Sequence, residues 1–300
     1  MTMSPTTRRS SAPGFGRQIR SRLSRWALPA FTTLAIGYLL VPIAVMIAFS
    51  FNRPQGKFNF IWNEFSLDAW RNPLAWPGLP DALATSLQVA FLATIAATVL
   101  GTLIGLALTR YRFKGRGVIN SLIFLPMATP EIVLGASLLT LFIGTATVSP
   151  LREIVPRGLF YPLGFLTILI AHIMFNISYV VVTVKARLTG FDRSLEEAAM
   201  DLGANEWTTF WKVTFPLIFP GILAAAVLAF SLSIDDFVIT YFVSGTENTF
   251  PIWVFAVVKN ALPPQINVVG SIIFLASVGL VVATTLFSFR QPARARAKTA

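Results

Sequence analysis

Residues 194 to 216 read SLEEAAMDLGANEWTTFWKVTFP, from Ser194 to Pro216, and lie between two long apolar runs where a few turn residues would suffice. The spacing predicts two short helices. Ser194 with Glu197 three residues on has the form of a capping box, which starts a helix there. Leu195, Ala198, Ala199 and Leu202 fall at i, i+3, i+4 and i+7, an apolar face set against Glu196, Glu197 and Asp201. Gly203 stands where a helix C-terminus favours φ > 0. Asn205 is placed to cap a second helix whose Trp207, Phe210 and Trp211 share a face, and Pro216 is expected to end it. Residues 185–216 carry five acids and four bases. Helices that rest on a membrane usually show Lys and Arg to its anionic surface, so this balance favours a protein partner over lipid.

Outward from this loop the chain is too apolar for a soluble protein of 300 residues: 55% of it is hydrophobic and 12% charged, with a mean hydropathy of +0.69. About 20 apolar residues cross a bilayer core, and six runs qualify: 28–51, 83–109, 118–143, 159–184, 217–243 and 266–289. The expected fold class is an all-α membrane protein with six transmembrane helices, comprising one domain over residues 28–290 with the loop 185–216 inside it. The first run is longer than the apolar core of a signal peptide and no A-x-A site follows, so it is read as a retained span. Residues 1–27 hold six arginines and no acid and are expected to form a disordered arm; residues 291–300 form a basic tail. Lys and Arg number six in the arm and four each in 110–117, 185–216 and 290–300, against six on the alternate side. The positive-inside bias therefore predicts both termini in the cytoplasm. The net charge of +11 is distributed as this bias requires and gives no reason to expect nucleic acid. Gly101 and Gly105 form a G-x-x-x-G, read as helix packing.

Three acids fall inside the predicted spans, where ionisable groups are costly and mark function. Glu131 follows Pro126 and Pro130 in the third run, where a kink is expected; Asp235 and Asp236 lie near the outer end of the fifth. No Lys or Arg accompanies them within the runs. Such carboxylates suit the passage of a cation, whereas an anion path would favour Arg or Lys. The Asp pair has a second reading, as a solvated or loop-capping pair. His172 and Asn176, one helical turn apart, are read as interhelical hydrogen bonding, and no metal site is expected. With no cysteine there is no disulfide or thiol chemistry. No G-x-x-x-x-G-K-[ST] loop is present, so the chain is not expected to bind or hydrolyse ATP itself and no cofactor is expected. Clustered catalytic residues are likewise missing from the sequence, which argues against an enzyme.

Glu197, Ala198, Ala199, Gly203 and the Phe215-Pro216 step resemble the EAA loop of binding-protein-dependent permeases of the type I ABC importer fold. The stretches LPMATPEIVLGASLLTLF (125–142), FSLSIDDFVITYFVSG (230–245) and TFPIWVFAVVKNALPPQINVVGS (249–271) resemble the second permease of spermidine/putrescine importers. The resemblance covers residues 28 to 290. It implies an inner-membrane subunit of a bacterium, partnered by a second permease, a pair of ATPase subunits and an external solute-binding protein, with the pore at the permease interface. It further implies that Glu197 faces a basic residue of an ATPase cleft, that Ala198 and Ala199 let the coupling helix seat closely, and that Leu202, Gly203 and Trp207 belong to the same contact. The expected cargo is a small cation, a polyamine, crossing by way of Glu131, Asp235 and Asp236. Another small solute of the same importer class is the alternative. An ion-coupled secondary transporter would leave the loop 194–216 without a role.

Overall fold

The computed structural model describes residues 15–148, 153 and 160–296. Residues 1–14 of the expected arm and 297–300 of the tail lie outside the described residues. Among the described residues the chain is helical with only isolated backbone bridges. Helix α1 (Phe15–Phe49) is followed by the short α2 (Asp68–Arg71), then α3 (Leu79–Arg110), α4 (Arg116–Ala128), α5 (Glu131–Thr147) and α6 (Phe165–Thr189). The loop region contributes α7 (Ser194–Asp201), α8 (Glu206–Thr209) and a π-helical turn over Phe210–Thr214, which passes directly into α9 (Phe215–Ile234). Two short helices, α10 (Val238–Val243) and α11 (Phe250–Val258), precede α12 (Pro264–Arg296). Among the described residues five helices are long and apolar enough to cross a bilayer, and α4 with α5, taken as one broken span, makes six.

Three expectations are corrected by this architecture. Helix α1 begins at Phe15, well inside the segment expected to be unstructured. Its Arg, Gln and Leu residues are good helix formers, and extending an existing helix adds a hydrogen bond for each residue fixed. The third span is not one kinked helix: α4 and α5 meet at 109°. Pro130 disfavours the α conformation at the residue before it, and here Thr129 is extended (ψ 132°) and Pro130 itself follows suit (ψ 133°). Two successive extended residues redirect the chain where one would only bend it. The fifth span starts at Glu206 and stops at Ile234, short of the expected Val243. Pro216 does not end the helix, because the wide turn before it, closed by Phe215 N–H donating to the Phe210 carbonyl, carries the chain past the proline in the first turn of α9.

The centre is a close pair, α3 and α6. A Cβ on Gly101 would stand 2.6 Å from Val180 Cγ1, and one on Gly105 3.5 Å from Val184 Cγ1. Both partners advance four residues in the same sense, so the helices run parallel and the G-x-x-x-G is a packing face, as expected. Helix α9 closes a three-helix core in which Ala97, Val180, Val184, Ile218, Ile222 and Ala225 are buried. Beyond it a second cluster of Leu138, Phe142, Ile168, Phe175, Ile239 and Val243 fastens α5 and α10 to α6. Gly135 lets α5 approach, since a Cβ there would lie 2.6 Å from a ring carbon of Phe242. At this end Leu262 N–H donates to the Lys57 carbonyl at 2.8 Å, tying the loop after α11 to the loop after α1. The span Ala27–Phe49 of α1 buries none of its apolar length within the chain.

Candidate functional site

The three acids singled out in the sequence converge. Glu131, Asp235 and Asp236 line one cavity of about 300 Å³, together with Pro126, Phe175, Tyr179 and Phe237, and no Lys or Arg among the described residues lines it. The broken third span places Glu131, because the 109° turn makes it the first residue of α5, where the helix dipole favours a carboxylate. The end of α9 places the other two: Asp235 is the C-terminal cap, and Asp236 and Phe237 lead into α10. At 1.5 Å per residue this point is about 30 Å from the start of α9.

The two aspartates do different things. Asp236 Oδ2 accepts the Thr240 N–H at 2.8 Å and the Thr240 hydroxyl at 2.6 Å, so it caps α10. His172 Nε2 lies 2.8 Å from Thr240 Oγ1 and 3.5 Å from Asp236 Oδ2, and its Nδ1 lies 2.6 Å from Ser233 Oγ. Because the Thr240 hydroxyl proton goes to the carboxylate, its oxygen accepts from Nε2–H, and Nδ1 shares a hydrogen bond with Ser233 Oγ. His172 and Asp236 are buried, with side chains 1% and 7% exposed. This network joins α6, α9 and α10, so His172 makes the expected interhelical bonds. Asn176 does not: it is fully buried, and its side-chain nitrogen and oxygen have no hydrogen-bond partner among the described residues. Asp235 and Glu131 remain exposed to the cavity and form no ion pair among the described residues.

In the loop, α7 ends as the sequence implied. Gly203 has φ +89°, its N–H donates to the Met200 carbonyl and the Ala204 N–H to the Ala199 carbonyl, the paired bonds of a Schellman turn. Asn205 caps α8, its side chain accepting from Thr208 N–H at 2.8 Å. The start of α7 differs from expectation: Ser194 makes no capping bond, and Asp192 accepts the Ser194 N–H instead. That bond, with a second from the Ser194 hydroxyl, holds the Asp192 carboxyl below its ordinary value of 3.8.

One residue of α7 faces the other way from expectation. Glu196 was placed on the solvated side, yet it pairs with Arg110 at the end of α3 and accepts from Thr214 Oγ1, with Arg110 and Glu196 side chains 27% and 13% exposed. Arg193 adds a bond to the Thr109 carbonyl. Helix α7 is thus latched to the end of α3 through a polar face. Its apolar residues are not packed inward: none of α7 is buried, Leu195, Ala198 and the neighbouring Glu197 are exposed and Ala199 is half-buried, while Leu202 just after α7 and Trp207 of α8 are 89% and 71% exposed. Arg110 and Thr214 were missed in the sequence because 86 and 18 residues separate them from Glu196.

With this geometry in place, comparison with known proteins places the chain among relatives. Residues 97–291 match the family model described as binding-protein-dependent transport system inner membrane component. The chain is 35% identical over 260 residues to the spermidine/putrescine transport system permease protein PotC of Haemophilus influenzae, covering 86% of this chain and 95% of that one. It is 36% identical over 252 residues to the putrescine transport system permease protein PotI of Escherichia coli, covering 83% and 85% respectively. A chain of a bacterial ABC transporter involved in import of the acidic polysaccharide alginate superposes with a TM-score of 0.66 at 15% identity, over 91% of this chain and 99% of that one. That last likeness is one of fold.

Proposed function

The chain belongs to the binding-protein-dependent transport system inner membrane component family, and from that premise we propose that it forms the path for a polyamine, spermidine or putrescine, through a bacterial inner membrane. It is a transport permease subunit and not an enzyme. The observation that carries the substrate reading is the cavity of three carboxylates without a lining base. A polyamine that leaves water loses the hydration of its ammonium groups, and carboxylates held in a low-dielectric wall replace it. Asp235 and Glu131 receive the cation. Asp236, held by Thr240 and His172, fixes the wall that presents them.

The energy comes from a separate ATPase pair. Leu202 and Trp207, exposed beside Glu197, Ala198 and Ala199, supply the apolar surface that seats in an ATPase cleft, with Glu197 toward a basic residue there. The Glu196–Arg110 latch then passes the movement of α7 to α3, and the continuous run Glu206–Ile234 passes it to Asp235. The loop and both termini lie in the cytoplasm, and the acidic cavity opens toward the outer half. A second permease and an external solute-binding protein complete the importer. The test is ATP hydrolysis by the reconstituted complex. Stimulation by binding protein loaded with spermidine or putrescine is expected; stimulation only by binding protein loaded with an anion or a neutral solute would overturn the substrate reading.

A further inference from the structure

The wall of the acidic cavity continues outward as a group of aromatic rings. Phe237, which lines the cavity, packs at a tilt against Phe255 of α11 at 5.0 Å between centroids and against Tyr241 of α10 at 5.5 Å; Tyr241 and Phe255 are 6.2 Å apart. Tyr241 and Phe255 are 56% and 45% exposed, so the cluster is open on the side away from the cavity. A cation already stands on it. Lys259 Nζ lies 4.3 Å from the centroid of the Phe255 ring, brought there by the i to i+4 spacing at the end of α11. Lys259 forms no ion pair among the described residues, while two unpaired carboxylates, Asp235 and Glu131, face the cavity beyond Phe237.

The occupant is chemically informative. A lysine side chain is a four-carbon alkyl chain ending in an ammonium, the same group as either end of putrescine. A ring face that holds one by its quadrupole holds the other. We propose that Phe237, Tyr241 and Phe255 form a staging site for the ammonium end of the solute, outside the carboxylate cavity, and that Lys259 is its resident occupant, displaced when the solute arrives. This rests on the polyamine reading above. Lys259 thereby sets a threshold: an incoming solute must exceed the attraction of a tethered ammonium for the same ring before it reaches Asp235.

The experiment is ATP-driven uptake of radiolabelled putrescine by the reconstituted complex, with KM and maximal rate measured for Lys259→Gln, Phe255→Leu and Phe255→Trp, and Asp235→Asn run beside them. Lys259→Gln should lower KM about 2- to 5-fold at unchanged maximal rate, Phe255→Leu should raise it by a similar factor, and Phe255→Trp should hold it near wild type because indole is the stronger cation acceptor. Equal shifts for Leu and Trp at position 255, or an unchanged KM in Lys259→Gln, overturn the staging site. Loss of uptake in Asp235→Asn together with a flat series at 255 and 259 overturns the staging site and leaves the cavity reading standing. A wild-type complex that takes up no putrescine overturns both.

Discussion

Neighbouring aspartates in this chain have separate duties, and substitution should separate them. Asp235→Asn and Glu131→Gln remove charge from side chains that form no ion pair or side-chain hydrogen bond with another side chain among the described residues, so uptake should fall at least about tenfold while the complex still assembles, a loss within what a desolvated cation–carboxylate contact supplies. Asp236→Asn should act on stability instead. It weakens the charge-assisted bonds from Thr240, and thermal unfolding in detergent should report a loss of about 1 to 2 kcal/mol. Equal effects of the two Asn substitutions on unfolding would contradict this division. The sequence flagged all three acids because a charge in an apolar run is conspicuous. It could not assign Asp236 to the fold, since His172, which meets it at the Thr240 hydroxyl, is on another helix. Nor could it foresee that Asn176 is buried without a partner.

At the scale of elements, the loop 194–216 invites two tests. A Cβ at Gly203 would meet nothing within 4 Å, so its φ of +89° is the whole constraint on that position. Gly203→Asn, which tolerates the left-handed region, should therefore keep coupling, whereas Gly203→Val should abolish substrate-stimulated ATP hydrolysis with the chain still inserted. If both variants behave alike, the turn is not what transmits. Glu196→Gln tests the latch: ATP hydrolysis should continue but lose its dependence on loaded binding protein, and exchange of the two residues, Arg110→Glu with Glu196→Arg, should recover part of it. Unaltered coupling in Glu196→Gln would remove the latch from the account. The Asp192 cap has a pH sign. Its carboxyl sits below its unfolded value, so its contribution to α7 is present above that value and is lost as pH falls through the lower folded one, which leaves the cap intact at neutral pH. Gly203 and Asn205 were legible because turn and cap chemistry is local. Ser194 misled because Asp192, two residues earlier, competes for the same N–H with a charged acceptor. The 109° break was legible as a position from Pro126 and Pro130, but its size depends on two consecutive ψ values that composition does not reveal.

For the whole molecule, the sequence yielded span number and helical class because both follow from apolar length and the cost of unpaired backbone in lipid. It did not yield which spans touch: Gly101 against Val180 needed coordinates, as did the unburied apolar length of α1. Purified alone the chain should hydrolyse no ATP; activity in a contaminant-free preparation would contradict that. The central claim is that the carboxylate cavity carries an ammonium solute under ATP power, and uptake of radiolabelled putrescine into proteoliposomes holding the complete importer tests it most directly. The account predicts uptake that requires ATP and loaded binding protein and that collapses in the double variant Glu131→Gln with Asp235→Asn while the assembled complex is unchanged. Uptake by the double variant at the wild-type rate would contradict it.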